Sequence, residues 1–235
     1  MSDWIINGST LIKYTGDAER VVVPDEVKYI GSSAFREAPN MRELVISKNV
    51  TSLGGRSIYW CEKLERVDIL SEKLNMDFHV FQYCTSLKTV NFNSCNTYIP
   101  VYCFSECKSL EEIILPEGVR GISDRAFSDC SNLKKMIILN PDITLGNSLF
   151  DGAHTDFEIE YIGDHNTFLK IARKKIYKAI ESFGDYHHRE VYEVEVTKQD
   201  YPFARFDQNV KTRVYCRADG VTLLFPSGEG KPEEK

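Results

Sequence analysis

Cysteine is the residue type in this sequence whose spacing first suggests chemistry. The 235-residue chain contains seven cysteines, and four of them follow one another at a constant offset in residue number: Cys61, Cys84, Cys107 and Cys130. Zinc requires four ligands that converge tetrahedrally on one point, and cysteines stacked in a line cannot converge. Parallel side chains also disfavour a disulfide. Since the total is odd and no Cys-x-x-Cys pair occurs, we predict buried, reduced thiols that act as small hydrophobic side chains, with no metal and no cofactor.

Little in the sequence points to catalysis. The five histidines are scattered, and the chain has no Gly-x-Ser-x-Gly, P-loop or His-Glu-x-x-His motif. His187 and His188 are adjacent, and one arrangement stays open, a Cys–His pair formed by Cys216 with either histidine. We predict that the chain has no catalytic residues and is not an enzyme.

The offset between these cysteines belongs to the whole central part of the chain. The same offset relates apolar residues in two further columns, which is the signature of a repeat architecture. One column holds Phe35, Ile58, Phe81, Phe104, Phe127 and Phe150. Six repeats follow one another without insertion or deletion, and position 1 of each is Ala18, Met41, Leu64, Leu87, Leu110 and Leu133.

The fifth repeat, LEEIILPEGVRGISDRAFSDCSN, shows how one unit is built. Ile113 and Leu115 are two residues apart, which places both side chains on one face of a strand. Pro116 ends that strand because proline has no amide hydrogen to donate. A second short apolar pair follows, and residues 124–129 are typical of a single helical turn. No unit can bury its apolar side chains alone, so the repeats must stack, with strands about 4.8 Å apart in a parallel sheet.

These residues resemble a known family. The pattern L-x-x-I-x-[IL]-P-x-x-V-x-x-I-x-x-x-A-F-x-x-C is similar to the BspA-like class of bacterial leucine-rich repeats, over roughly residues 5 to 162. The resemblance implies a right-handed leucine-rich-repeat solenoid, with a parallel β-sheet and short helical turns, that binds protein or surface ligands and catalyses no reaction. Repeats three and four depart from the pattern. Leu70 and Asn93 replace its proline, and Lys73 and Asn96 replace its valine.

The repeats divide the chain into parts for which we expect different structures. These are an N-terminal capping hairpin (1–17), six repeats plus a final strand (18–163), a C-terminal helix with strands (164–225) and a disordered polar tail (226–235). The hairpin turns at Asn7-Gly8. The amphipathic helix spans 164–183, is capped by Asp164 or Asn166, and has an apolar stripe that starts at Leu169. A β-hairpin around Asp219-Gly220 follows. The C-terminal part is either a cap of the solenoid or a small independent module.

The outward positions of the main strands form the first candidate binding surface. Positions 3 and 5 point away from the core, and position 5 is apolar at both ends of the solenoid and polar in its middle: Val22, Val45, Asp68, Asn91, Ile114 and Ile137. With neighbouring side chains this gives a polar sheet patch of Arg66, Asp68, Thr89, Asn91 and Asn93. The patch is either a ligand-contact surface or a solvated sheet of drifted repeats.

An aromatic set of Tyr59, Trp60 and Tyr83 forms the second candidate. Trp60 and Tyr83 share position 20, immediately before a cysteine of the column. Because exposed aromatic residues are enriched in protein interfaces, these side chains are expected to contact a partner, or else to pack over the adjacent turn or under the C-terminal part.

Position 2 of the repeats alternates in charge. Its residues are Glu19, Arg42, Glu65, Lys88, Glu111 and Lys134. If the strands stack in register, each charge lies between two opposite ones, so we predict ion pairs between neighbouring repeats that control register.

Charge and hydropathy restrict the function further. The net charge of −6 argues against a nucleic-acid partner. No run of about 18 apolar residues occurs, so we expect no membrane span. The start, MSDWIINGST, lacks the features of a signal peptide, which favours a cytoplasmic chain, although the family resemblance implies the cell surface as an alternative.

The function predicted from these features is a non-catalytic protein-binding module that uses the exposed face of its parallel sheet. The alternative is a solenoid scaffold that carries a small C-terminal enzyme or effector-like domain. Self-association through the apolar ends of the exposed sheet is a third interpretation.

Overall fold

The N-terminal hairpin forms the first layer of the fold. The computed structural model describes residues 3–154, 156–164, 167–168, 170–171, 211–218, 220–225 and 233–234. Strands β1 (Trp4–Asn7) and β2 (Thr10–Tyr14) pair antiparallel, and Gly8 between them has a φ of +58°, as the predicted tight turn requires. Trp4 packs on Tyr14 and Phe35, with ring centroids 4.9 and 6.2 Å apart, so the hairpin covers the first member of the aromatic column.

Each repeat then contributes two parallel strands to a β-solenoid. The chain continues with β3 (Arg20–Val22), β4 (Tyr29–Ile30), β5 (Glu43–Ile46), β6 (Ser52–Leu53), β7 (Arg66–Ile69), β8 (Asn75–Met76), β9 (Thr89–Asn91), β10 (Thr97–Ile99), β11 (Glu112–Leu115), β12 (Val119–Ile122), β13 (Lys135–Ile138), β14 (Thr144–Leu145) and β15 (Asp156–Tyr161). The odd-numbered strands from β3 to β15 lie along the main sheet, and the even-numbered strands from β2 to β14 lie along the second sheet. Register follows the repeat, since Glu43 pairs with Arg66 and Lys135 pairs with Glu158.

The core lies between the strands and the turns. Its centre is the aromatic column, in which Phe81 stacks on Phe104 at 5.2 Å and Phe104 stacks on Phe127 at 5.3 Å between ring centroids. All three rings are fully buried. Burial of one such side chain stabilises the fold by about 1.5–3 kcal/mol, so the repeated column supplies a large part of the stability.

The segments predicted as helical turns are not helical, and that prediction is wrong. Within residues 3–154 and 156–164 no residue is helical. Two positions of every repeat instead have a positive φ. They are position 16 (Ser33, Arg56, His79, Tyr102, Arg125 and Ser148) and position 20 (Glu37, Trp60, Tyr83, Glu106, Asp129 and Gly152). A left-handed backbone costs a residue other than glycine about 1–2 kcal/mol.

Hydrogen bonds between successive turns offset this cost. In repeats two to five, the amides at positions 16, 18 and 20 donate to carbonyl oxygens of the next repeat. In repeat three, His79 N donates to Val101 O at 3.1 Å, Phe81 N to Cys103 O at 2.9 Å and Tyr83 N to Ser105 O at 3.0 Å. The turns therefore form a third hydrogen-bonded ladder beside the two sheets, which satisfies backbone groups that would otherwise be buried without partners.

The cysteines are buried thiols that form no disulfide among the described residues, as predicted. Each column thiol also donates to the backbone carbonyl at position 18 of the preceding repeat: Cys61 to Phe35 O (3.0 Å), Cys84 to Ile58 O (3.2 Å), Cys107 to Phe81 O (3.3 Å) and Cys130 to Phe104 O (3.0 Å). Burial raises the pKa of Cys84 and Cys107 well above the ordinary thiol value. The thiolate, which is the reactive and metal-binding form, is therefore disfavoured at these positions.

Repeat four interrupts both sheets. Among the described residues, no strand ladder joins β9 to β11 in the main sheet. In the second sheet, β8 and β10 are not paired as strands, and an isolated bridge between Lys73 and Asn96 lies beside them. The two interruptions lie on opposite sides of the same repeat, whereas the ladder of turns continues past both, for example from Phe104 N to Ala126 O at 2.8 Å.

An early turn accounts for the interruption. Cys95 N donates to Phe92 O at 2.9 Å, one position earlier than the matching bond from Val119 N to Pro116 O in repeat five. Asn93, inside this turn, has a φ of +45°. The asparagine that replaces the proline of the pattern therefore lies where the main strand ends early.

Strands near the C-terminus extend the main sheet. β16 (Lys211–Cys216) pairs parallel with β15, and β17 (Val221–Phe225) pairs antiparallel with β16, so the predicted hairpin around Gly220 is present. β18 (Glu233–Glu234) pairs with β17. The rest of the tail predicted over 226–235 lies outside the described residues.

Asp164 caps the start of a helix. Its carboxylate accepts hydrogen bonds from the amide and the hydroxyl of Thr167 at 2.9 and 2.7 Å, the pattern of an N-cap residue. Phe168, which the predicted apolar stripe omits, is fully buried and lies 5.2 Å from Tyr161 between ring centroids. Leu169 and the predicted helix beyond residue 171 lie outside the described residues.

Candidate functional site

The polar sheet patch is organised around one carboxylate. Arg66 and Asp68 lie on β7, and the strand register places Asp68 beside Asn91 of β9. The Arg66 guanidinium donates two hydrogen bonds to Asp68, from Nε to Oδ2 and from Nη2 to Oδ1, both at 2.9 Å. The Asn91 amide donates to Asp68 Oδ1 at 2.5 Å. The structure therefore brings three of the five patch residues into one hydrogen-bonded network.

This network sets the charge state of the patch. The hydrogen bond from Arg66 is the main reason that the pKa of Asp68 lies below its ordinary value, and the same bond raises the pKa of Arg66. Asp68 is thus ionised at neutral pH and paired with an opposite charge. A partner would therefore contact hydrogen-bonding groups in fixed positions, and the paired Arg66 and Asp68 carry no net charge together.

The other two patch residues have different surroundings. Thr89 is half-buried and pairs in register with Arg66. The side-chain amide of exposed Asn93 donates to Ile69 O at 2.9 Å, so Asn93 also holds the neighbouring main chain where the sheet is interrupted.

A shallow depression adjoins the patch. It has a volume of 540 Å³ and lies across the interruption between β9 and β11. Asn91 and Asn93 border it from repeat four, and Ile114 and Pro116 border it from repeat five. The interruption thus coincides with a concave part of the exposed sheet face.

The apolar residues at position 5 of the sheet face differ from one another in exposure. Val22 and Ile114 are exposed, as expected for position 5, but Val45 is only 8% exposed. The expectation that Val45 faces solvent is therefore wrong. Arg20 and Arg66 line the same depression as Val45, and the aliphatic parts of such long side chains commonly cover apolar neighbours.

The aromatic set is a contiguous cluster. Ring centroids of Tyr59 and Trp60 are 6.0 Å apart, those of Tyr59 and Tyr83 are 5.5 Å apart, and those of Trp60 and Tyr83 are 5.6 Å apart. Trp60 is 43% exposed, and its indole Nε1 donates to Glu62 at 2.7 Å. The cluster packs over the turns of repeats two and three.

Sequence reasoning missed a second group of rings on the same edge of the solenoid. His79 stacks on Tyr102 at 5.0 Å, and Phe78 lies 5.4 Å from His79 between ring centroids. Arg56 connects the two groups, with its guanidinium 5.9 Å from the Tyr59 ring and 6.0 Å from the Phe78 ring. The sequence feature that could have indicated this second group of rings is the recurrence of large side chains at positions 15 and 16 of repeats three and four.

The predicted charge ladder at position 2 is confirmed for four of its five neighbouring pairs. The fifth pair, Lys88–Glu111, lies across the interruption between β9 and β11. Four neighbouring pairs lie within ion-pair range, namely Arg42–Glu19 (3.7 Å), Arg42–Glu65 (2.5 Å), Lys88–Glu65 (2.9 Å) and Lys134–Glu111 (3.8 Å). Hydrogen bonds from Lys88 and Arg42 lower the pKa of Glu65. These side chains are largely exposed, so the ladder bears on register more than on stability.

The Cys–His arrangement gains no support from the described residues. Cys216 is fully buried in β16, in register with Tyr161 of β15, so its thiol has no access to a substrate in solvent. His187 and His188 lie outside the described residues. Within the part of the chain that the structure describes, no three His, Cys, Asp or Glu side chains are grouped so that they could hold a metal ion.

The repeats of this chain match those of a known protein family. A family model described as a BspA type leucine rich repeat region, in six copies, matches residues 8–134 and 78–186. The chain belongs to the BspA-type leucine-rich repeat family. No curated protein sequence matches this BspA-type chain.

Solved structures of other leucine-rich repeat proteins share its fold. A leucine rich cell surface protein from Faecalibacterium prausnitzii has 24% identity and a TM-score of 0.55, over 67% of this chain and 46% of that one. A leucine-rich repeat protein from T. pallidum has 20% identity and a TM-score of 0.51, over 74% of this chain and 87% of that one. One from Eubacterium ventriosum has 19% identity and a TM-score of 0.53, over 63% and 46%.

These similarities support the fold alone. The BspA-type chain spans less than half the length of the proteins from F. prausnitzii and E. ventriosum. Among the described residues, none of the helices has the length and apolar character needed to cross a membrane.

Proposed function

We propose that this BspA-type solenoid is a non-catalytic protein-binding module that uses the exposed face of its main sheet, centred on the polar sheet patch. The observation that carries the proposal is the network of Arg66, Asp68 and Asn91 beside the 540 Å³ depression. Because the three side chains hold one another in place, they would lose little conformational entropy when a partner binds.

The chemistry of the face favours a protein partner. Exposed Val22 and Ile114 flank the polar centre, and such mixtures of apolar and hydrogen-bonding groups are typical of protein interfaces. The net charge of −6 is unfavourable for contact with phosphate backbones. A nucleic-acid partner is accordingly not proposed.

A charge-reversal experiment tests the sheet face. Immobilised wild-type chain and the double variant Asp68→Lys/Asn91→Lys are compared for the proteins that they retain from native lysate, identified by mass spectrometry. The matched control is Glu26→Lys/Asn75→Lys, which makes the same change in net charge at exposed residues outside the patch. We expect partners that the wild type and the control retain and that the patch variant loses. Identical sets for all three proteins would refute the proposal.

We further propose that residues 164–225 act as a cap of the solenoid. Support comes from the pairing of β16 along the full length of β15 and from the burial of Val214, Cys216 and Phe168. The alternative of an independent C-terminal enzyme or effector-like domain predicts that the solenoid folds without this part. Deletion of residues 164–235 should therefore lower the thermal midpoint of the repeats if the cap proposal is correct, and leave it unchanged if the alternative holds.

A cytoplasmic location is proposed on the basis of the buried cysteine thiols of the repeats, since oxidising compartments favour disulfides. The F. prausnitzii protein, described as a cell surface protein, supports the surface as the alternative. Fractionation of native cells with an antibody to the chain distinguishes the two.

A further inference from the structure

Trp60 is held in one orientation at the edge of the solenoid, away from the sheet face. Its indole Nε1 donates to Glu62 Oε1 at 2.7 Å, and Tyr59 and Tyr83 pack against it at 6.0 and 5.6 Å between ring centroids. Even so, the residue is 43% exposed. A large apolar ring is therefore fixed in place while much of its surface stays accessible to a ligand.

The backbone conformation of Trp60 belongs to the repeat. Its φ of +60° lies in the left-handed region, as it does at position 20 of every repeat. Position 20 carries glutamate, aspartate or glycine in four of the six repeats, and only repeats two and three have an aromatic side chain there.

A depression of 460 Å³ adjoins the exposed part of Trp60. Its walls include Glu37 and Glu62 together with Ala38, Pro39 and Lys63. The Lys63 ammonium donates to Asn40 Oδ1 at 3.0 Å. Arg36 engages Oε1 of Glu37 at 2.9 Å, and Trp60 engages Oε1 of Glu62, so each carboxylate has its contact through one of two oxygens. Two carboxylates and one ammonium give the lining residues a formal charge of −1, and Arg36, which is not a lining residue, offsets part of the charge of Glu37. Glu62 is therefore the main negative charge beside the ring.

We propose that this Trp60 depression binds a basic side chain, a lysine or an arginine, from an extended segment of a partner protein. The cation rests on the exposed indole ring between Glu37 and Glu62. Tryptophan attracts cations more strongly than the other aromatic side chains, and the carboxylates add charge complementarity that an apolar or acidic segment would lack. The net charge of −6 also steers basic segments towards the chain. This site is independent of the polar sheet patch.

A binding measurement with a defined probe tests the proposal. Fluorescein-labelled tetra-arginine peptide, amidated at its C-terminus, is titrated with the full chain, and anisotropy gives the affinity. Glu37→Gln/Glu62→Gln is expected to weaken binding about five-fold or more, and Trp60→Leu by about five-fold. Trp60→Phe keeps an aromatic ring and is expected to fall between the wild type and Trp60→Leu. In a Trp4→Phe background Trp60 is the only tryptophan, and its fluorescence should change with saturation by unlabelled peptide.

The matched control is Glu26→Gln/Glu117→Gln, which removes two exposed carboxylates elsewhere on the solenoid. It should bind the peptide as the wild type does. If both double variants weaken binding equally, the attraction is a general effect of negative charge and the proposal fails. It also fails if Trp60→Leu, folded by circular dichroism, binds with unchanged affinity, or if the Trp60 fluorescence does not respond.

Discussion

The left-handed turns should reverse the usual stability order of alanine and glycine. Arg56 occupies position 16 with a φ of +57°, and its side chain is exposed over the rings of Tyr59 and Phe78. Arg56→Gly and Arg56→Ala both remove those contacts, so the comparison of the two variants isolates the backbone. In ordinary strand or helix positions glycine is less stable than alanine by about 0.5–1 kcal/mol.

The expected magnitude follows from the backbone. Alanine at a φ of +57° keeps the steric cost of the left-handed region, about 1–2 kcal/mol, which glycine avoids. Glycine also has greater backbone entropy in the unfolded chain, which destabilises the folded state and reduces that difference by about half. We therefore expect Arg56→Gly to be more stable than Arg56→Ala by about 1 kcal/mol.

Urea unfolding, followed by far-ultraviolet circular dichroism, measures the difference as a shift in midpoint at constant slope. Lys88→Gly and Lys88→Ala provide the control, because Lys88 is exposed and is not among the left-handed residues. That pair should show the ordinary order, with alanine the more stable. An Arg56→Ala protein that equals or exceeds Arg56→Gly in stability would refute the left-handed turn.

Three further perturbations probe the column, the C-terminal strands and the charge ladder. Phe104→Ala removes a buried ring that stacks on both Phe81 and Phe127. It should cost about 3–5 kcal/mol in urea unfolding, and a loss below about 1 kcal/mol would contradict the stacking. Glu160 contacts Lys135 at 3.0 Å and also pairs with Arg217, and the bond from Lys135 lowers its pKa. Its stabilising contribution is therefore present above the unfolded-state pKa of about 4.3 and is lost as the pH falls below it. Glu160→Gln should unfold with a weaker dependence on pH in that window, and unchanged dependence would argue against the contact. Glu65→Lys places a positive charge between Arg42 and Lys88 and should lower the thermal midpoint at low salt. About 1 M NaCl should reduce the difference, because it screens exposed charges beyond about 3 Å, and an equal difference at high salt would exclude repulsion as its cause.

The repeat architecture could be predicted because the chain keeps one offset throughout. When every column recurs at the same position of each unit, the register of parallel strands follows directly, and so do the stacking of Phe104 and the ion pairs of Glu65. The network of Arg66, Asp68 and Asn91 was accessible for the same reason, since outward positions of neighbouring strands must lie side by side.

The turns could not be predicted from side chains. Positions 16 and 20 carry arginine, histidine, tryptophan and glutamate, and Gly152 is the one glycine among the twelve left-handed residues at these positions. Their backbone conformation is set by bonds to the next repeat, such as that from Phe81 N to Cys103 O. A local pattern such as that of Ala126 and Phe127 fits a helix. It contains no information on the distant hydrogen-bond partners that determine the turn.

The sequence indicated the interruption at repeat four only in part. Asn93 and Asn96 depart from the pattern, but the early turn is closed by a backbone hydrogen bond from Cys95 N to Phe92 O, which the pattern of side chains does not indicate. The rings of Phe78 and Tyr102 escaped notice because a helical turn places positions 15 and 16 differently from the turn that forms.

The alternating charges at position 2 give the solenoid a second, longer period. Geometry repeats with every unit, but charge repeats only with every second unit. Loss of repeat three by recombination would place Arg42 beside Lys88, whereas loss of two adjacent repeats would restore an acid next to a base. A lineage that changes length through unequal crossing-over should therefore retain pairs of repeats more readily than odd numbers of them, so the heritable unit of this scaffold is the double repeat.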